Sequence, residues 1–293
     1  MENRTETTIE STSPNGEMSP PMYAALPQRA ARSFRDILQE QLRYRELLFT
    51  LAWRDIRSRY KHSLIGIGWA VFVPVVLMVV FGTVLAKVAI IDTGDIPLPI
   101  FIYCGLVPWQ FFEQSVIRGT QSLVVNRNLV TKIYFAREVL PFAAILTAGF
   151  DFLIASTVLV AMMAWFRIPV TVMVLLLPVV LLIQLVFTAG VVLLFSMTNL
   201  FYRDVGQIIS VMTRAWFFIT PVAYPIRSEN LLLRTLNIAN PMSPVINSYR
   251  DLIIRGQLPD WNSLYPAIAI SLVLLVIAWA LFHLNEFRFA ESI

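Results

Sequence analysis

Four ionisable side chains fall inside stretches apolar enough to enter a membrane: Glu113, Arg118, Asp151 and Arg214. A charge in hydrocarbon is costly, so such residues are functional candidates or members of a buried pair. Asp151 and Arg214 both lie near the middle of their stretches. Two readings are open for them, an intramembrane ion pair that stabilises a helix bundle and the lining of a polar pathway. A proton relay needs several carboxylates in series, and only one acid is central. The second chemical signature is aromatic. Ile100 to Phe112, IFIYCGLVPWQFF, carries Phe101, Tyr103, Trp109, Phe111 and Phe112 around a glycine and a proline. Tyrosine and tryptophan pair a flat apolar body with a polar tip, which suits sugar rings and lipid head groups. An aromatic belt at the membrane–water interface is the alternative.

Other chemistries find little support. The sequence has no GxxxxGK[ST] phosphate loop, HExxH, GxSxG or C-x2-C motif. A lone cysteine, Cys104, excludes an internal disulfide and a cysteine-based metal framework. His62 and His283 are far apart in sequence. No metal, cofactor or nucleic-acid partner is expected of this chain. If it moves a substrate uphill, a partner must supply the work.

The elements that must position these residues follow from composition. Only 14% of the 293 residues are charged, against roughly 25% in soluble domains, and the mean hydropathy is +0.67. The class is an all-α polytopic membrane protein. Residues 1–27, rich in Ser, Thr, Pro and Glu, are expected to be a disordered cytoplasmic tail. Residues 28–62 form an amphipathic interface region, in which Ile37, Leu38, Leu42, Leu48, Leu51, Ala52 and Ile56 recur near helical spacing between arginines. Trp53 is expected at headgroup level. Six stretches can then span a bilayer at roughly 20 residues each: 64–86, 99–118, 139–165, 173–197, 206–223 and 264–284. The second and fifth are the weakest, because each contains proline and charge. Between the last two, Ser228–Ile238 and Pro244–Ile254 read as a re-entrant, outer-leaflet helix pair joined at Asn240-Pro241.

Sixteen lysines and arginines fall on one side of this arrangement and six on the other, placing both termini in the cytoplasm. The cytoplasmic loop 120–138 has helical periodicity and mixes apolar with basic residues, as suits a short helix docking on another protein. An amphipathic connector resting on the membrane is the alternative. Tyr202-Arg203-Asp204 is a second cytoplasmic turn, either a further contact or a topological stop. Arg54, Arg57, Arg59 and Lys61 can meet a diphosphate at the cytoplasmic mouth, although positive-inside topology alone accounts for them. Gly105, Trp109 and Phe112 share one helical face, the face expected to point into a channel.

The ordered segments KHSLIGIGWAVFVPV (61–75), IYCGLVPWQFF (102–112), NRNLVTKIYFAREVLP (126–141), LFYRDVGQI (200–208), TPVAYP (220–225) and NPMSPVINSYRDLI (240–253) resemble the ABC-2 type permeases that export polysaccharides. The resemblance runs from about residue 36 to the C-terminus. It implies an ABC-2 type transmembrane domain over 63–293, a second copy of the chain, and a separate nucleotide-binding subunit carrying ATP and Mg. It also implies residence in a bacterial inner membrane and an undecaprenyl-diphosphate-linked polysaccharide as cargo, with O-antigen foremost. Asn126, Asn128, Leu129, Lys132 and Phe135, with Arg203 and Asp204, match the coupling elements that receive the ATPase motion. Asp36–Arg59 matches the interface helix, and Asn240, Tyr249 and Arg250 belong to the exit hairpin. Teichoic acid, capsule, and small drugs or lipids are alternative cargoes. A membrane glycosyltransferase and a proton-coupled flippase are rivals from other classes.

Overall fold

The computed structural model describes residues 44–61, 63–88, 96–132, 135–224, 239–286 and 289. The 1–27 tail, the first half of the interface region and Ser228–Ile238 lie outside the described residues. Nine helices are described, with no strand among them: α1 Arg45–Tyr60, α2 Trp69–Val88, α3 Leu98–Val125, α4 Arg127–Lys132, α5 Val139–Trp165, α6 Leu177–Phe201, α7 Val205–Ile219, α8 Met242–Arg250 and α9 Trp261–Asn285. A short 3₁₀ turn leads into α2 and another into α6.

Four of these are long and apolar enough to cross a membrane: Gly66–Lys87, Val139–Trp165, Val172–Phe201 and Trp261–Asn285. Within the chain only 6% to 33% of their apolar windows is buried. Val76, Val80 and Val84 of α2, Leu153 and Val160 of α5, and Val273 and Val276 of α9 point outward, where lipid removes the cost of exposing them. The interior belongs instead to α3, a 28-residue helix that carries charge. It packs against α2, α5, α6, α7 and α8, and eighteen of its residues are buried. The most apolar helices thus face outward while a less apolar one fills the centre. Small residues permit the close approach of neighbours. Gly190 of α6 presses on the α9 backbone at Leu275, and Gly119 of α3 lies against Val192 of α6.

The helix in the fifth expected span, 206–223, is shorter than the span. α7 has 15 residues, about 22 Å at 1.5 Å per residue, against a hydrocarbon core of roughly 30 Å. It stops at Ile219 because Thr220 precedes Pro221 and is held extended (φ −82°, ψ 134°). The next carbonyls have no helical partner and are met from α8. Fully buried Arg250 donates from Nη1 to the Pro221 carbonyl (2.8 Å), from Nη2 to that of Val222 and from Nε to that of Phe101 (3.3 Å). Its guanidinium lies 3.9 Å above the Phe101 ring. Gly105 sits where any side chain would strike the Val222 carbonyl and Arg250.

α8 begins at Pro241, with the Asn240 side chain accepting from the Met242 N–H at 3.1 Å. It runs into a π turn, Asp251–Arg255, that ends on left-handed Gly256 (φ 63°). A side chain at Gly256 would be strained there and would also strike Thr171. The expected second helix of the hairpin, Pro244–Ile254, is therefore present from Met242.

Removing the fork leaves buried carbonyls unmet, at ~1–3 kcal/mol each. Arg250→Met is expected to lower the thermal unfolding midpoint of the purified chain in detergent sharply. Arg250→Lys should not restore it, since an ammonium cannot reach three carbonyls in a planar fork.

Candidate functional site

One side of α3 carries Gln110, Gln114, Arg118 and Gln121, spaced i, i+4, i+8 and i+11, a single helical face. Two polar hollows lie along it. The inner one, about 370 Å³, is bounded by Arg59, Tyr60, Gln110, Glu113, Gln114, Arg118 and Asp151, with Trp69 and Val73 of α2 opposite. The outer one, about 330 Å³, lies between α1 and the α3–α5 pair. Arg54, Asp55, Ser58, Arg59, Arg118 and Gln121 line it.

Arg59 and Arg118 border both hollows, and Asp151 of α5 holds them together. Its Oδ2 accepts from Arg59 Nη1 at 2.5 Å and from Arg118 Nη1 at 3.2 Å, and its Oδ1 accepts from the Tyr60 hydroxyl at 2.5 Å. Arg118 also donates to Gln114 (2.8 Å). Burial first, then the Asp151 carboxylate, pushes the Tyr60 hydroxyl up from its ordinary value, so it stays a donor. Two guanidiniums thus share the Asp151 carboxylate at the partition between the hollows, and a second carboxylate, Glu113, lies on the wall of the inner one.

This overturns the expected Asp151–Arg214 pair. Asp151 sits at α5's contact with α1 and α3, while Arg214 is exposed on α7. Equal depth along two spans said nothing about which faces meet. Arg59 fills the role expected of Arg214, so it is not a free diphosphate ligand. Arg54 is likewise engaged, with Asp55 at 2.8 Å and with Asn126 Oδ1 at 2.9 Å. Arg57 stays exposed with its guanidinium 6.0 Å from the Trp53 ring, and Lys61 is exposed.

The expected channel lining is also corrected within this chain. Phe101, Tyr103, Trp109, Phe111 and Phe112 are each at most 3% exposed. Phe112 stacks on Phe187 (5.5 Å, 15°) and meets Trp216 edge-on, while Trp109 meets Phe217. Tyr103 donates to the Ala155 carbonyl at 3.0 Å. The aromatics bind α3 to α5, α6 and α7, because bulky rings fill an interior that the outward-facing aliphatic helices leave open. The Gly105–Trp109–Phe112 face points into the bundle, with Gly105 against the Arg250 clamp.

The elements expected to be cytoplasmic are placed as follows. α4 exposes Arg127, Asn128, Thr131 and Lys132 and buries Val130, with Leu129 half-buried. Phe135 is anchored in a cluster with Leu51, Ala52 and Leu123. Through the Arg54–Asn126 bond α4 begins in contact with α1. Arg203 and Asp204 are exposed on the α6–α7 turn. That turn is fixed by Asn199, which donates to the Thr120 carbonyl of α3 (3.0 Å) and accepts from the Gly206 N–H (2.7 Å). In the hairpin, Asn240 donates to Thr220 (2.8 Å). Tyr249 donates to Gln184 (3.0 Å), which donates on to the Pro108 carbonyl (2.7 Å). Sequence reasoning missed Tyr60, Gln184 and Asn199. The signal for the last two was a polar amide inside an otherwise apolar stretch.

With this geometry in place, comparison with known proteins is decisive about the class. Residues 46–254 match the model of the ABC-2 type transporter family, and the chain belongs to that family. It is a multi-pass membrane protein. Over 88% of its length it is 34% identical to an O-antigen export system permease protein, RfbA, of Myxococcus xanthus, covering 99% of that protein. It is 28% identical to an RfbA of Klebsiella pneumoniae over 84% of its length and 94% of the relative. It is 23% identical to the polysialic acid transport protein KpsM of Escherichia coli over 80% and 91%.

A double-mutant cycle on unfolding in detergent checks the cluster. Asp151→Asn with Arg118→Gln, and with Arg59→Gln, should each show coupling of about 0.5–3 kcal/mol. Asp151→Asn with Arg214→Gln should be additive.

Proposed function

We propose that this chain is the permease subunit of an ATP-driven exporter that carries polysaccharide, O-antigen foremost, on an undecaprenyl-diphosphate lipid across the bacterial inner membrane. The observation that carries the reading is the 34% identity, along 88% of the chain, to a protein named as an O-antigen export permease. The similarity to a polysialic acid transporter keeps capsule as the second cargo.

In this reading two copies assemble, each with six crossings. α2, α3, α5, α6 and α9 are five of them, and α7 is completed by the non-helical segment after Thr220. Both termini are cytoplasmic. α8 belongs to the re-entrant element at the exit. A separate nucleotide-binding subunit holds ATP and Mg and docks on the exposed side of α4, at Asn128 and Lys132, and on the Arg203–Asp204 turn. The bond from Arg54 to Asn126 ties that docking helix to α1, whose far end carries Arg59 and Tyr60. Motion received at α4 thereby reaches the Asp151 partition.

The polar face of α3 supplies a hydrated path that the apolar faces of the other helices lack. Arg118, which shares Asp151 with Arg59, is the guanidinium on this face that a diphosphate can meet. The buried aromatics support the path from behind.

Deleting the gene is expected to abolish surface polysaccharide, with the lipid-linked glycan accumulating inside the cell. Complementation by Asn128→Ala/Lys132→Ala should restore a membrane-inserted chain that no longer retains the ATPase subunit on purification. Normal surface polysaccharide in the deletion strain would refute the reading.

A further inference from the structure

An apolar hollow lies away from the polar face. It is an open groove of about 810 Å³ between α1 and the first half of α5, within the size range of ligand sites. Ala52, Trp53, Phe142, Gly149 and Leu153 are among its walls, with the Phe111–Phe152 ring pair (5.4 Å) at the back. Phe49, Trp53 and Leu153 of its rim are 55–64% exposed, on the side where α5 turns Leu153 and Val160 outward. In a membrane-spanning chain this groove opens to acyl chains rather than to water.

No charged side chain lines it, but a cation stands next to its Trp53 wall. Arg57 follows one turn after Trp53, with its guanidinium 6.0 Å from that ring, and it has no carboxylate partner among the described residues. Arg45 is exposed at the other end of α1, about 18 Å away at the rise of a helix. An apolar trough flanked by an aromatic at headgroup height and an uncommitted arginine is complementary to one chemical class, an anionic amphiphile of the cytoplasmic leaflet.

We infer that the α1–α5 groove is a specific site for an anionic phospholipid, whose chain lies against Gly149 and Phe142 and whose phosphate meets Arg57. The lipid would then be part of the seat of α1, packing beside the Leu51–Ala52–Ile56 face that α1 already buries on the protein. The site is separate from the cargo path and does not depend on which glycan is exported.

Gly149 makes the test clean. A Cβ there would meet only Phe111, at an ordinary 3.8 Å, so a leucine's side chain starts without a clash on the groove wall. The purified full chain is reconstituted in nanodiscs of equal phosphatidylglycerol and phosphatidylethanolamine, then analysed by native mass spectrometry. Wild type is expected to retain one phosphatidylglycerol per chain. Gly149→Leu should lose it at least tenfold, and Arg57→Gln should retain both lipids equally. If Gly149→Leu does not fold, Trp53→Ala, which removes an exposed wall, must show the same loss. Equal retention in wild type and the groove variant, no preference for the anionic lipid in wild type, or retention of a polyprenyl phosphate in place of phospholipid would each overturn the assignment.

Discussion

A buried guanidinium that answers carbonyls holds this bundle together. Arg250 is fully buried, yet its described partners are the carbonyls of Phe101, Pro221 and Val222, the Asn247 side chain and the face of the Phe101 ring. Pro221 forces the end of α7 within the apolar layer, and backbone left open there must be satisfied by protein. Arg250 meets it and at the same time pins α8 to α3. The closeness of Gly105 to this clamp follows from the same need: it leaves the space in which Arg250 and the Val222 carbonyl meet.

With α3 held in the centre, its two sides are set. The aromatic side turns inward to α6 and α7, and the side with Gln110, Gln114, Arg118 and Gln121 turns to the hollows beside α1 and α2. Asp151 closes that side by drawing Arg59 and Arg118 together. The C-terminal half of α1 is consequently attached twice, by Arg54 to Asn126 at the start of α4 and by Arg59 and Tyr60 to α5. This gives a physical line from α4 to the charged Asp151 cluster.

Much of this was legible in the sequence. The bounds 139–165 and the class of fold followed from apolar runs alone, because lipid-facing helices carry that signal along their whole length. A short helix near Asn126 followed from periodicity. What escaped was the rotation of helices about their axes. In a soluble protein aromatics and apolar stripes identify the buried side, but in lipid both sides are apolar, so Trp109 and Phe112 gave no sign that they face the interior. Asp151 and Arg214 sit at matching depth and still point to different neighbours. Arg250 read as an exit-loop charge because nothing in its local sequence announces that Pro221, twenty-nine positions earlier, leaves carbonyls in need of it.

The rotation of α3 is therefore the claim on which the account rests. Single cysteines along that helix, with native Cys104 replaced by serine, can be labelled by a water-soluble maleimide in inverted membrane vesicles. The account predicts labelling at Gln114, Arg118 and Gln121 and protection at Tyr103, Trp109 and Phe112. Labelling of the aromatic positions with protection of the polar ones would contradict it.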